Sequence, residues 1–231
     1  MTELYLVRHA QASFTSTDYD TLSATGVRQS RLLGRYFAEH DIGFQAMVSG
    51  TMQRHAQTLD ALADALGGAC DATREVHAGL DEYRFRTMIR LFSEANPRDD
   101  LVRLLQERPQ DRRAFFQLLR RILTEWSEDR LPGAPETWRA FQERVLDARA
   151  YIQQLGDRCK RILVVSSGGA ISMLTGSVLE LSPQHVFELN LQIRNTSITR
   201  FFTGADGCRL AEFNAVPHLV GREHTEFVTY S

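Results

Sequence analysis

Arg8-His9 closes the first apolar run of the chain, Leu4 to Val7. A neutral imidazole can attack phosphorus, and a guanidinium grips phosphoryl oxygens with a two-pronged fork. An apolar tetrad bounded by polar residues reads as a buried strand. In open α/β sheets, ligands gather outside the carboxyl ends of strands. The pair therefore suggests a nucleophile in an anion pocket. On Leu6 to Gln11 alone, a strand that happens to end in two polar residues reads equally well. Beyond it the chain turns polar through Ala12, Ser13 and Thr15 to Tyr19.

Further clusters follow in a fixed order: Leu22-Ser23-Ala24-Thr25-Gly26-Val27-Arg28-Gln29, then Ser49-Gly50-Thr51-Met52-Gln53-Arg54-His55-Ala56-Gln57-Thr58. Together with Arg8-His9-Ala10, this order resembles the histidine phosphatase superfamily, also called the phosphoglycerate-mutase-like family. Its patterns are Arg-His-Gly, Leu-Ser-x-x-Gly-x-x-Gln and Ser-x-x-x-x-Arg-x-x-Gln-Thr. The resemblance continues through Leu80-Asp81-Glu82, Pro135 to Phe141 and Val164-Val165-Ser166-Ser167-Gly168-Gly169. It ends with Asn195 to Ile198 and Asn214 to Leu219. Residues 84–134 are the least matched stretch.

The resemblance implies a three-layer α/β/α sandwich with a mostly parallel central sheet. It implies a phosphomonoester phosphatase working through a phosphohistidine on His9, with Arg8 and Arg54 converging on the phosphoryl group. Glu82 takes the position of the proton donor, protonating the leaving group and then deprotonating water. Asp81 ranks below it, because the motif register favours Glu82. A backbone carbonyl is expected to hold the other ring nitrogen of His9. No metal or organic cofactor is called for, since no dense carboxylate cluster stands out.

One departure is sharp. The family carries Ser-His-Gly-Gly where this chain has Ser166-Ser167-Gly168-Gly169, so Ser167 replaces a second histidine. Serine can still donate one hydrogen bond but is short and uncharged. Ser167 and the amide of Gly168 at a helix start are therefore kept as phosphate-binding candidates, with weakened activity. A histidine restored at position 167 is expected to raise turnover. His55, His77, His218 and His224 are possible substitutes in space, each read first as structural or exposed. Mutases of the family carry Ser and Asn where this chain has Ala12 and Thr15, and Ala10 replaces a glycine. These changes favour a phosphatase over a phosphoglycerate-mutase-type phosphotransferase. A catalytically impaired phospho-ligand-binding pseudoenzyme is the third reading.

Composition sets wider bounds. The 231 residues suit a single domain, with residues 84–134 as a helical insertion over the site. A net charge of −2 leaves no basic footprint for nucleic acid. No apolar stretch approaches the roughly 20 residues that cross a bilayer. Three widely spaced cysteines (Cys70, Cys159 and Cys208) argue for a reducing compartment. With Glu3, Arg8, His9 and Asp18 in the first twenty residues, no signal peptide is expected and the cytoplasm is the default. The expected partner is a small phosphorylated substrate; a homo-oligomer is left open.

The elements that must carry these residues alternate. Leu32, Leu33, Tyr36 and Phe37 recur at helical spacing behind Ser23, and Ala46 to Val48 reads as a strand. Ser49 then sits where a helix cap would stand, ahead of a helix over Thr51 to Leu66. Val76 to Leu80 is a weak strand. Residues 136–155 form a helix, Ile162 to Val165 the clearest strand, and Ala170 to Leu179 a short helix. Strands are expected over Ile198 to Phe202 and Arg209 to Phe213, around the turn from Gly204 to Gly207. Between them, residues 84–134 show two or three helices whose many arginines read mostly as a solvated face.

Overall fold

The computed structural model describes residues 1–13, 20–67, 72–204, 207–221 and 223–230. Thr15, Asp18, Tyr19, Cys70, Ala205 and Asp206, on which sequence expectations fell, lie outside them.

Six strands form one sheet: β1 (Thr2–Arg8), β2 (Ala46–Ser49), β3 (Thr73–Val76), β4 (Arg161–Ser166), β5 (Ile198–Gly204) and β6 (Gly207–Ala215). Their order is β3-β2-β4-β1-β5-β6. The first four strands in that order run parallel, and β5 and β6 add an antiparallel edge. The alternation along β1 shows why the sheet is covered twice. Leu4 and Leu6 join one apolar cluster, and Tyr5 and Val7 join the other. Helices α1 (Ala24–Glu39) and α2 (Gln53–Leu66) supply Leu33, Phe37, Leu59 and Leu62 to the second cluster. The opposite face packs against α6 (Trp138–Leu155), α7 (Gly168–Leu179) and α8 (Pro183–Gln192). With them come α3 (Phe85–Ala95), α4 (Asp100–Glu107) and α5 (Arg112–Ser127), which extend that layer from the least-matched stretch. The result is a three-layer α/β/α sandwich with a mostly parallel sheet. Among the described residues, no helix is long and apolar enough to cross a membrane.

Register decides which residues meet. Arg8 pairs with Ser166 across β1 and β4, and Ser49 pairs with Val165 across β2 and β4. The carboxyl ends of three strands thus deliver Arg8-His9, Ser49-Gly50 and Ser166-Ser167 to one edge.

Two local expectations change, and one helix is added. Ser49 is not a helix cap; it is the last residue of β2, paired on both sides, and α2 starts at Gln53 without a side-chain cap. The strand expected at Val76 to Leu80 ends at Val76, and Ala78 to Leu80 form a 3-10 turn. There, His77 Nδ1 accepts from the Gly79 amide and stops the extended run. Helix α8 escaped the sequence reading because only Val186 and Phe187 of it are buried, too few to draw an apolar stripe.

Candidate functional site

His9 sits just past β1 and is 3% exposed. Its Nδ1 donates to the Ala10 carbonyl across 2.8 Å, so a backbone carbonyl does fix the tautomer. Nε2, left with a lone pair, accepts from Arg54 Nε at 3.2 Å. Burial, with the charges of Arg54 and Arg8 beside it, holds the imidazole pKa well below the ordinary 6.5. The ring is therefore neutral at physiological pH. The backbone around it is pinned from both sides. Asn195 Nδ2 donates to the His9 carbonyl at 3.0 Å, and the Ala10 amide donates to Thr58 Oγ1 at 3.0 Å.

The two arginines are held by different elements. Arg8, from the end of β1, donates through Nη1 to the Ile193 carbonyl. Arg54, from the first turn of α2, is also nearly buried and donates through Nη1 to Asp20 Oδ1 at 2.7 Å. Asp20 also accepts from the Gln53 amide at 2.8 Å, which ties the start of α2 to the loop after β1.

Glu82 follows the 3-10 turn and faces the same cavity as His9. Its Oε1 accepts from the Tyr83 amide and its Oε2 from the Gly169 amide, each at 3.2 Å. A Cβ at position 169 would lie 2.2 Å from Glu82 Oε1, so only glycine admits the carboxyl there. Burial raises the Glu82 pKa, against the Gly169 amide and the two arginines, which act to lower it. A carboxyl that keeps its proton to higher pH is suited to donate it. Asp81 points elsewhere: it accepts from the Thr51 amide at 2.6 Å and from the Thr51 hydroxyl.

Arg8, His9, Arg54 and Glu82 line one cavity of about 360 Å³. Its outer wall is apolar. Phe85 and Ile89 come from α3, Phe115, Phe116 and Leu119 from α5, and Leu191 from α8. Arg86 is the insertion arginine that reaches this cavity. Arg90, Arg120 and Arg121 instead pair with Glu94, Glu188 and Asp99 on exposed surface, as a solvated face should. Asn190 and Tyr83, neither noticed in the sequence, also line it, and Asn190 Nδ2 donates to the Tyr83 hydroxyl at 2.7 Å.

The remaining candidates stand one layer back. A side chain at Gly168 would begin 3.6 Å from Arg8 Nε, so the start of α7 rests against that guanidinium. Ser167 is completely buried, and its Oγ lies 2.7 Å from His55 Nε2. His55, one of the four histidines that are possible substitutes in space, stands beside His9. Its ring centroid is 5.6 Å from that of His9. His77 instead faces Asp147, and His218 bonds Thr196. The Arg54-His55 neighbour relation in sequence was the available signal, but helical periodicity alone could not say which way His55 turned.

The sequence profile of the histidine phosphatase superfamily (branch 1) matches residues 4–216. The chain belongs to the histidine phosphatase superfamily. Solved structures of similar fold include a phosphoglycerate mutase from Bacillus anthracis, at 18% identity and a TM-score of 0.67, covering 94% of each chain. A phosphoserine phosphatase mutant from Entamoeba histolytica in complex with phosphoserine aligns at 18% identity and a TM-score of 0.64. That match covers 95% of this chain and 100% of the other. An alpha-ribazole phosphatase from Shigella flexneri aligns at 17% identity and a TM-score of 0.62, over 93% and 96% of the two chains. Comparison with curated proteins finds no match.

Within this superfamily fold, the arrangement sets a neutral imidazole beside two cations and a carboxyl whose pKa is raised by burial. Groups of these kinds can serve nucleophilic displacement with general acid–base help.

Proposed function

We propose that this chain is a phosphomonoester phosphatase that works through a phosphohistidine on His9. The observation that supports this reading is the neutral imidazole, fixed at Nδ1 and accepting from Arg54 at Nε2, in a cavity that Arg8, Arg54 and Glu82 also line. The Nε2 lone pair forms the N–P bond while the P–O ester bond breaks. The departing oxygen takes its electron pair and receives the Glu82 proton. Water then attacks phosphorus, its proton passes to the Glu82 carboxylate, and the N–P pair returns to Nε2. Arg8 and Arg54 offset the charge on the non-bridging oxygens, a role that Gly168 supports by seating α7 against Arg8.

The apolar wall favours esters whose alcohol is apolar or aromatic. Phosphoglycerate or phosphoserine would set a second charged group against Phe115, Phe116 and Leu191, with Arg86 the cation at hand. This also speaks against a mutase. In our reading, residues 84–134 are an insertion whose helices α3 and α5 form a lid, and the protein works in the cytoplasm, where Cys159 and Cys208 remain thiols. A panel of phosphomonoesters, assayed with the parent protein and with His9→Ala, tests the reading. Turnover that depends on His9 supports it; full turnover by His9→Ala overturns it.

A further inference from the structure

Gln29 and Asn195 are completely buried and take no part in the reaction scheme above. Their side-chain amides hold the two peptide groups that follow His9. The His9–Ala10 peptide is gripped at its carbonyl by Asn195 Nδ2 and at its N–H by Thr58 Oγ1, each at 3.0 Å. The Ala10–Gln11 peptide presents its carbonyl to His9 Nδ1 at 2.8 Å, while its N–H donates to Gln29 Oε1 at 2.9 Å. The carbonyl that fixes the imidazole tautomer thus belongs to a peptide held by Gln29.

A single hydroxyl joins the two amides. Thr229 Oγ1 accepts from Gln29 Nε2 at 2.8 Å and donates to Asn195 Oδ1 at 2.9 Å. A carboxamide has one accepting end and one donating end, so fixing either end fixes the other. The bond that Thr229 takes from Gln29 turns Oε1 toward the Gln11 amide. The proton it gives Asn195 turns Nδ2 toward the His9 carbonyl. Thr229 is itself pinned, because its carbonyl accepts from the Asn195 amide at 3.0 Å. The segment that carries it has a separate apolar anchor in Phe227, which is buried with Leu32, Val216 and Leu219. The residue after Thr229, Tyr230, lines the cavity.

We propose that Thr229 is a positioning residue for His9. Its hydroxyl sets the orientation of Gln29 and Asn195, and through them the two peptide groups that keep the imidazole protonated at Nδ1 and bare at Nε2. This rests on the phosphatase reading of the same site. Thr229 acts through the backbone and not on the phosphoryl group. Without its hydroxyl, Asn195 Oδ1 loses that donor, and the amide can turn its oxygen toward the His9 carbonyl. Two buried acceptors then face each other, which the backbone relieves by shifting. The pairing of His9 Nδ1–H with the Ala10 carbonyl loosens. The tautomer with its proton on Nε2 gains population, and that form has no lone pair at Nε2 with which to attack phosphorus.

The test uses the full chain with Thr229→Val, which keeps the shape without the hydroxyl, and Thr229→Ser, which keeps the hydroxyl. Nitrogen NMR of histidine-labelled protein reports which ring nitrogen of His9 carries the proton, the signals being assigned by their loss in His9→Ala. The parent should show a protonated Nδ1 and a bare Nε2 at neutral pH. In Thr229→Val the two signals should move toward each other as the tautomers mix. Its kcat on p-nitrophenyl phosphate should fall by about 10-fold or more with KM little changed. Thr229→Ser should restore both. A parent-like tautomer in Thr229→Val, or a loss of turnover that Thr229→Ser shares, overturns the proposal. Thr229→Ala removes the same hydroxyl and decides the matter if the valine variant fails to fold. Tyr230→Ala separates the hydroxyl from the segment: it should keep the parent tautomer, and mixing there would assign the effect to packing and overturn the role of Thr229. Should the parent hydrolyse no ester, the phosphatase reading fails, and the tautomer signals still decide the role of Thr229.

Discussion

Arg54 Nε donates to His9 Nε2 across 3.2 Å, so the nitrogen that would attack phosphorus is the one held against a cation. Two consequences follow for chemistry. Burial first, and the guanidinium beside it, keep the ring neutral, and the same guanidinium is at hand for an oxyanion next to His9. Arg54 is itself steadied by Asp20 at 2.7 Å, which keeps its fork aimed.

Glu82 should matter in proportion to how badly the leaving group needs a proton. Glu82→Gln keeps the shape and loses the acid. It should slow hydrolysis of alkyl phosphates by about 10²-fold or more, and of p-nitrophenyl phosphate much less. Steady-state kinetics on both esters check this; equal losses would take Glu82 out of the leaving-group role.

The pH profile should be asymmetric. His9 is held well below 6.5, so kcat/KM should show no acid limb from the nucleophile at that pH. Glu82 is raised above 4.5, so activity on alkyl phosphates should decline as pH climbs through that raised value and the proton is lost. Profiles of the parent and Glu82→Gln test the pair. An alkaline limb that survives the substitution belongs to another group.

The sheet and its helices were largely legible in the chain, because buried strands such as Ile162 to Val165 and capped helices such as the one behind Ser23 carry their own local patterns. Arg8, His9, Arg54 and Glu82 were legible for a different reason: motif order placed them, and the register of β1, β2 and β4 brings three strand ends together. What stayed hidden depends on tertiary approach. The apolar wall joins Phe85, Phe116 and Leu191 across more than a hundred positions, and the turn of His55 toward Ser167 depends on the missing Cβ of Gly50.

The wall makes a prediction about selectivity. Phe116→Asp introduces a charge that an apolar alcohol cannot satisfy. KM for an aryl ester such as naphthyl phosphate should rise by about 10-fold or more, with a smaller change for a compact polar ester. Equal changes in KM for both would show that Phe116 does not face the alcohol.

Stability should fall in mild acid. His218 bonds Thr196 Oγ1 at 2.9 Å, and burial pushes its pKa down to about 3 from 6.5. A histidine with a depressed folded pKa binds its proton more readily when unfolded, so its contribution is complete above pH 6.5 and drains away toward pH 3. The loss amounts to a few kcal/mol on an order-of-magnitude basis. His9 and His55, depressed in the same direction, add to it. Urea unfolding at pH 7.5 and pH 5 should show the drop, and His218→Gln should make it shallower. An unchanged difference would assign the acid sensitivity elsewhere.

The account centres on a covalent bond between phosphorus and His9 Nε2. Rapid quenching of the protein with a radiolabelled phosphomonoester, followed by peptide mapping, tests it directly. The predicted result is a phosphoryl label that is stable in base, labile in acid and confined to the peptide carrying His9, absent in His9→Ala and longer-lived in Glu82→Gln. A label on Ser167 or another residue, or rapid turnover with no label on His9, would contradict it.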